Sequence, residues 1–141
     1  DFAQQEAFNV KLQEKYKEIA DKEPLYEEYM MDDAEIVLVS YGISSRISKS
    51  AVDEARKEGI KVGLFRPITL FPLPEKALQK IAERDCTFVS VEMSAGQMQE
   101  DLMLAIRCKR PVELVSRYGG ILIETGNIMD KVREIAKNRK V

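Results

Sequence analysis

The chain of 141 residues contains no histidine. The most common general base at neutral pH is therefore missing, and so is any nucleophile–histidine arrangement built around it. Cysteine is nearly absent too. Cys86 and Cys108 are too few for an iron–sulfur cluster, which usually takes four thiolates. The pair reads as small buried or half-buried apolar residues rather than a redox couple. A formal charge of −2 offers no bulk attraction for nucleic acid or anionic lipid. No apolar run approaches the roughly 18 residues of a membrane span, and no charged-then-apolar signal peptide opens the chain, so a cytoplasmic, soluble domain is expected. If this domain serves an enzyme, these absences predict that it does not hold the catalytic groups.

What is present suits one hydrophobic core. An apolar fraction of 45% is that of an ordinary globular protein, and the length allows one domain plus a tail. Residues 1–33 are expected to be a linker helix and connector from an upstream domain, and residues 34–141 an α/β domain. In the linker, Phe8, Leu12, Tyr16 and Ile19 recur at helical spacing, ending near Asp21-Lys22-Glu23-Pro24. Their stripe must lie on this domain's flank or on a domain upstream. The acidic run from Glu27 to Asp33 reads as a connector.

From Ala34 onwards strands and helices alternate. Ile36-Val37-Leu38-Val39 is a continuous apolar run, as in a strand buried on both faces. A helix follows with Ile47, Ala51 and Ala55 inward and Gly59 as its stop. Further strands are expected at 61–65, 86–91 and 111–115. Three prolines, Pro67, Pro72 and Pro74, keep the segment from Arg66 to Leu73 extended or turned, with Pro74 as the first residue of the next helix. Helices are also expected from Gln97 to Arg107 and around Ile128, Val132 and Ile135. The pattern predicts a three-layer α/β/α fold with a mainly parallel sheet.

Parallel strands place every strand-to-helix junction on one edge of the sheet. Four junctions gather there: Gly42 to Ser45, Arg66 to Phe71, Glu92 to Gln97, and Arg117 to Gly120. Gly42, Ser44 and Ser45 have the makings of a phosphate-binding turn. They lack the dinucleotide glycine fingerprint and the phosphate-loop lysine, so a tight turn capped by Ser44 or Ser45 is the preferred reading. Glu92 is a candidate acid or base, but no second carboxylate is close in sequence. A structural role is preferred, accepting N–H bonds from the Ser94–Gly96 turn or pairing with Arg66. Arg66 and Arg117 are candidates for clamping an anion or anchoring an interface. Gly96, Gln97, Gly119 and Gly120 complete the set.

Arg66-Pro67-Ile68-Thr69-Leu70-Phe71-Pro72, followed by Val91-Glu92-Met93 and Gly96-Gln97-Met98, form a recognisable combination. Over about Ala34 to Ala136 the chain resembles the C-terminal part of the α subunit of 2-oxoacid:ferredoxin oxidoreductases, in the branch with the 2-oxoisovalerate and 2-oxoglutarate enzymes. That region is similar to the transketolase C-terminal domain of thiamine diphosphate enzymes. Tyr41-Gly42 and Gly119-Gly120 add weaker support, whereas Ile121 to Thr125 lacks the proline-containing lead-in of the family. The resemblance implies an assembly that decarboxylates a 2-oxoacid on thiamine diphosphate and Mg, passes electrons through iron–sulfur clusters to ferredoxin, and leaves an acyl-CoA. It implies as partners an upstream pyrimidine-binding domain, a β subunit and a ferredoxin-like subunit, with no catalytic residue and no bound cofactor in this domain. The alternatives are a free-standing domain binding a nucleotide or phosphate at the four-junction edge, and a hydrolase, which the missing histidine and nucleophile elbow disfavour.

Overall fold

The computed structural model describes residues 2–22, 25–70, 72–117 and 119–140, without the side chains of residues 16–22. The positions of Glu23, Pro24, Phe71 and Tyr118, and the side chains of Tyr16 and Ile19, lie outside the described residues. The elements in chain order are α1 (Phe2–Lys22), β1 (Tyr26–Tyr29), β2 (Ile36–Ser40), α2 (Ile43–Lys57), β3 (Val62–Pro67), α3 (Glu75–Ile81), β4 (Thr87–Glu92), α4 (Gln97–Ala105), β5 (Val112–Ser116) and α5 (Thr125–Arg139).

The sheet has the order β1-β3-β2-β4-β5. Strands β2 to β5 are parallel, and β1 pairs antiparallel with β3, Tyr26 facing Pro67 and Tyr29 facing Leu64. Central strands β2 and β4 are buried along their whole length, as the unbroken apolar run of β2 requires. Side-chain alternation divides the core into two halves. Val37, Val39, Phe65 and Phe88 meet Leu78 of α3 and Met98 and Leu102 of α4 on one face. Ile36, Leu38, Leu64 and Val89 meet Ala51 and Ala55 of α2 and Ile128 and Val132 of α5 on the other. The expected α/β/α layers are present.

Four details differ from the sequence reading. The stretch read as a connector contains β1, an edge strand whose Tyr26 ring stacks on Phe65 at 4.8 Å between centroids. Pro74 occupies the N-cap of α3 rather than its first helical position. Helix α4 stops at Ala105, because Arg107 and Cys108 take left-handed backbone conformations. Cys86 is buried as expected, but Cys108 is exposed.

Helix α1 contributes little to this core. Between Phe2 and Lys15 every side chain is exposed except the half-buried Leu12, and Phe8 is 65% exposed. Its stripe therefore does not lie on the flank of the sheet at Phe8. Among the described residues no helix is long and apolar enough to cross a membrane.

Candidate functional site

Because β2 to β5 run parallel, Ser40, Pro67, Glu92 and Ser116 end their strands on one rim. The helices after β2 and β4 leave to opposite faces of the sheet. Neighbouring strands with that divergence form a topological switch point, the usual position for a ligand crevice. Gly42 and Glu92 flank it.

Glu92 occupies that position itself. It shares a strand face with Phe88 and Ser90, the face covered by α4, and it is 0% exposed. One oxygen, Oε1, accepts from Ser94 Oγ at 2.7 Å and from the backbone N–H groups of Gly96 and Met98, both at 3.1 Å. The other, Oε2, accepts from Ser90 Oγ and from the N–H of Gln99 at 2.9 Å. Gly96 makes this possible through its positive φ of 98°, which turns the chain from β4 into α4. An isolated carboxylate is costly to bury. Five donors and the positive end of α4 offset that cost here, in the manner of an anion bound at a helix N-terminus.

The consequence is chemical. A carboxylate has about four lone-pair sites, and these are saturated by donors fixed in the backbone and two serines. Glu92 is thus an internal cap, and the amides of Gly96, Met98 and Gln99, which a phosphate at this helix N-terminus would need, are already bonded. Gln97 begins α4 with an exposed side chain. The sequence alternative of a Glu92–Arg66 pair is not formed. Arg66 turns to the neighbouring edge strand and bonds Glu27 at 3.0 Å.

At the other side of the switch point, Gly42 is the N-cap of α2, with φ 61° and no side-chain cap. Ser44 and Ser45 lie inside the first turn and are buried, so neither is the N-cap, and Ser45 Oγ donates to the Gly42 carbonyl at 2.6 Å. A groove of about 730 Å³ opens beside this turn, lined by Gly42, Arg46, Lys49, Arg66, Glu27 and Tyr29 among others. Lys49 lies 4.9 Å above the Tyr29 ring, whose hydroxyl donates to Asp53. That hydrogen bond, with some desolvation, raises the Tyr29 pKa. Charges of both signs line the groove.

Arg66 and Arg117 do not form a joint clamp. They end β3 and follow β5, with β2 and β4 between, a separation of roughly 14 Å at the usual strand spacing. Arg117 donates to the Leu122 carbonyl at 3.3 Å, across a turn in which Gly119 and Gly120 have φ of 75° and 82°. Among the described residues no group of three or more His, Cys, Asp or Glu side chains is placed to hold a metal.

Two features escaped the sequence reading. Four arginines, Arg56, Arg84, Arg110 and Arg139, bind loop carbonyls at the opposite rim. On the rim that carries Glu92, large apolar side chains stand in solvent, Ile43, Ile68 and Leu122 among them. Their position between strand and helix is visible in the sequence, but exposure depends on what packs around them.

Comparison with known proteins agrees with this arrangement. The chain is 62% identical over 136 residues to ketoisovalerate oxidoreductase subunit VorB of Methanothermobacter marburgensis, matching 96% of this chain and 38% of that protein. The present chain thus spans little more than a third of that relative. Its fold matches a 2-oxoglutarate:ferredoxin oxidoreductase from Magnetococcus marinus with a TM-score of 0.73 and 21% identity, over 95% of this chain and 23% of the other. It also matches a split-gene transketolase with a TM-score of 0.64 and 16% identity, over 77% and 40% of the two chains. The transketolase-like sheet is therefore shared across proteins of little sequence similarity. The family described as pyruvate:ferredoxin oxidoreductase core domain II matches residues 34–128, most of the chain and all of the parallel sheet, and the chain belongs to that family.

Proposed function

We propose that this chain is the C-terminal structural domain of the α subunit of a thiamine diphosphate-dependent 2-oxoacid:ferredoxin oxidoreductase, in the 2-oxoisovalerate and 2-oxoglutarate branch. The whole assembly would convert a 2-oxoacid and CoA to an acyl-CoA and carbon dioxide, reducing ferredoxin in the cytoplasm. The identity to a ketoisovalerate oxidoreductase subunit supports the branch. The observation that carries the domain's role is Glu92, the carboxylate that ends the central strand β4 at the switch point, consumed as a buried helix cap in a chain without histidine.

The side chains do not fit the cofactors of such an assembly. Two cysteines, one buried and one exposed, cannot supply the four thiolates of a cluster. The described residues include no group of three or more His, Cys, Asp or Glu side chains placed to hold a metal. Thiamine diphosphate, Mg and the clusters are accordingly assigned to the other domains and subunits. This domain's part is to order contacts among them: the upstream pyrimidine-binding domain, the β subunit and the ferredoxin-like subunit. Helix α1 is the linker from the first of these.

Calorimetry on the isolated chain, after circular dichroism has shown it folded, tests this reading. No heat of binding is expected with thiamine diphosphate and Mg or with 2-oxoisovalerate. Saturable binding of either would overturn it.

A further inference from the structure

The two rims of the sheet are chemically opposite. At the N-terminal rim, arginines close the loops onto one another. Arg56 donates to the carbonyls of Val62 and Met30, Arg84 to Met31, Arg110 to Ala82, and Arg139 to Asp85, at 2.8 to 2.9 Å. Those five carbonyls are thereby satisfied within the chain. The C-terminal rim instead leaves Leu25, Ile43, Ile68, Leu70, Ile121 and Leu122 in solvent, none less than 39% exposed. Three further large apolar residues stand out on α1, Phe2, Phe8 and Val10. The six on the rim are more than half of the eleven exposed large hydrophobic residues described, and a clustering of that kind marks an interaction surface.

Chain topology names what reaches that surface. The backbone N–H groups of Ile68 and Thr69 donate to the Leu25 carbonyl, so the chain enters the sheet at the C-terminal rim. Helix α1 ends at Lys22, three residues earlier. The chain leaves at the other rim, where Arg139 near the end of α5 holds Asp85 and Thr87. Any unit preceding α1 is tethered to the apolar rim through α1 and the residues after it, which raises its effective concentration there. Such a unit has room to exist, because the matched region is 38% of the VorB relative's length.

We propose that the C-terminal rim is the seat of a folded unit that precedes α1 in the same polypeptide. This rests on the reading of the chain as one domain of a longer subunit. It goes further in assigning the rim to a contact within the polypeptide rather than to a second subunit or a second copy.

The test uses the full-length polypeptide in its assembled complex, prepared from mixed light and heavy-isotope chains. A photo-crosslinking phenylalanine analogue is placed singly at Ile68 or Ile121, and as controls at Glu83 or Lys109 on the opposite rim. Because all four side chains are exposed, the probes do not disturb folding. The expected result is adducts from Ile68 and Ile121 to residues before α1 of the same isotope, and loss of those adducts at the controls. Adducts joining light to heavy chains, adducts only to another subunit, or no rim adducts would overturn the proposal. So would a gene encoding no folded unit before α1. Turnover of a 2-oxoacid by the same preparation separately reports on the functional reading: without it that reading fails, whatever the crosslinks show.

Discussion

Gln99 donates its backbone N–H to Glu92 Oε2 at 2.9 Å, across seven residues and the whole β4–α4 junction. This bond, with those from Gly96 and Met98, makes a strand-end carboxylate the cap of the helix that follows. Replacing Glu92 with alanine leaves five donors unpaired, three of them in fully buried bonds, and the expected loss is about 3–5 kcal/mol by analogy with a broken buried charge pair. Glu92→Gln keeps one acceptor oxygen but turns an NH2 group toward the second set of donors. Its expected cost is smaller, about 1–3 kcal/mol. Urea unfolding of the two variants checks both the sign and the order.

Gly63 marks a second tight spot. A Cβ at this position would lie 2.7 Å from Met31 Sδ, 2.8 Å from the Met30 carbonyl oxygen and 2.9 Å from Ala34 Cβ. The backbone oxygen cannot swing aside as a methionine tip can. Gly63→Ala is expected to destabilise by about 1–3 kcal/mol through overpacking, measured by the shift in denaturation midpoint.

Much of this fold is legible in the sequence, because buried parallel strands write themselves as apolar runs. Ile36 to Val39 and Phe88 to Val91 are readable as strands for that reason. Strand β1 was hidden because Tyr26-Glu27-Glu28-Tyr29 carries no alternation. It becomes a strand only when β3 supplies Arg66 opposite Glu27 and Phe65 beneath Tyr26. The same missing strand explains why the Arg66 partner was ambiguous. At Glu92 the residue types announced a turn-binding carboxylate. The donors Met98 and Gln99 were not legible, since they depend on how far α4 winds before it meets the sheet. The arginine-sealed rim was invisible for a related reason: each guanidinium reaches a carbonyl distant in sequence, up to 54 residues away for Arg139 and Asp85.

The two cysteines are expected to differ in reactivity. Burial raises the Cys86 pKa, which removes thiolate as well as access, whereas Cys108 is exposed. A thiol-reactive chromophore at neutral pH should titrate one sulfhydryl rapidly in the native chain and two in denaturant. Cys108→Ser should abolish the fast phase.

Acid stability follows from two surface pairs. The Arg56 hydrogen bond lowers the Asp33 pKa below its ordinary 3.8, and that of Arg133 lowers Glu58 below its ordinary 4.5. A carboxyl depressed in the folded state stabilises fully above its unfolded value and loses that contribution as pH falls through the folded one. Stability should therefore decline from about pH 4.5 downward. Because Arg133 bridges Glu58 from α5 to α2 in bidentate fashion, at 2.9 and 3.0 Å, Glu58→Gln should make the decline shallower. Urea midpoints measured from pH 6 to pH 3 report it, and about half a unit of pH per step suffices.

The central claim is that Glu92 holds the β4–α4 junction together and takes no part in chemistry. Its most direct test is Glu92→Gln in the full-length, assembled oxidoreductase, with thermal stability, subunit composition and 2-oxoacid decarboxylation measured on one preparation. Lowered stability or incomplete assembly, with full turnover per correctly assembled complex, is the expected result. Normal stability and composition with decarboxylation abolished would contradict it.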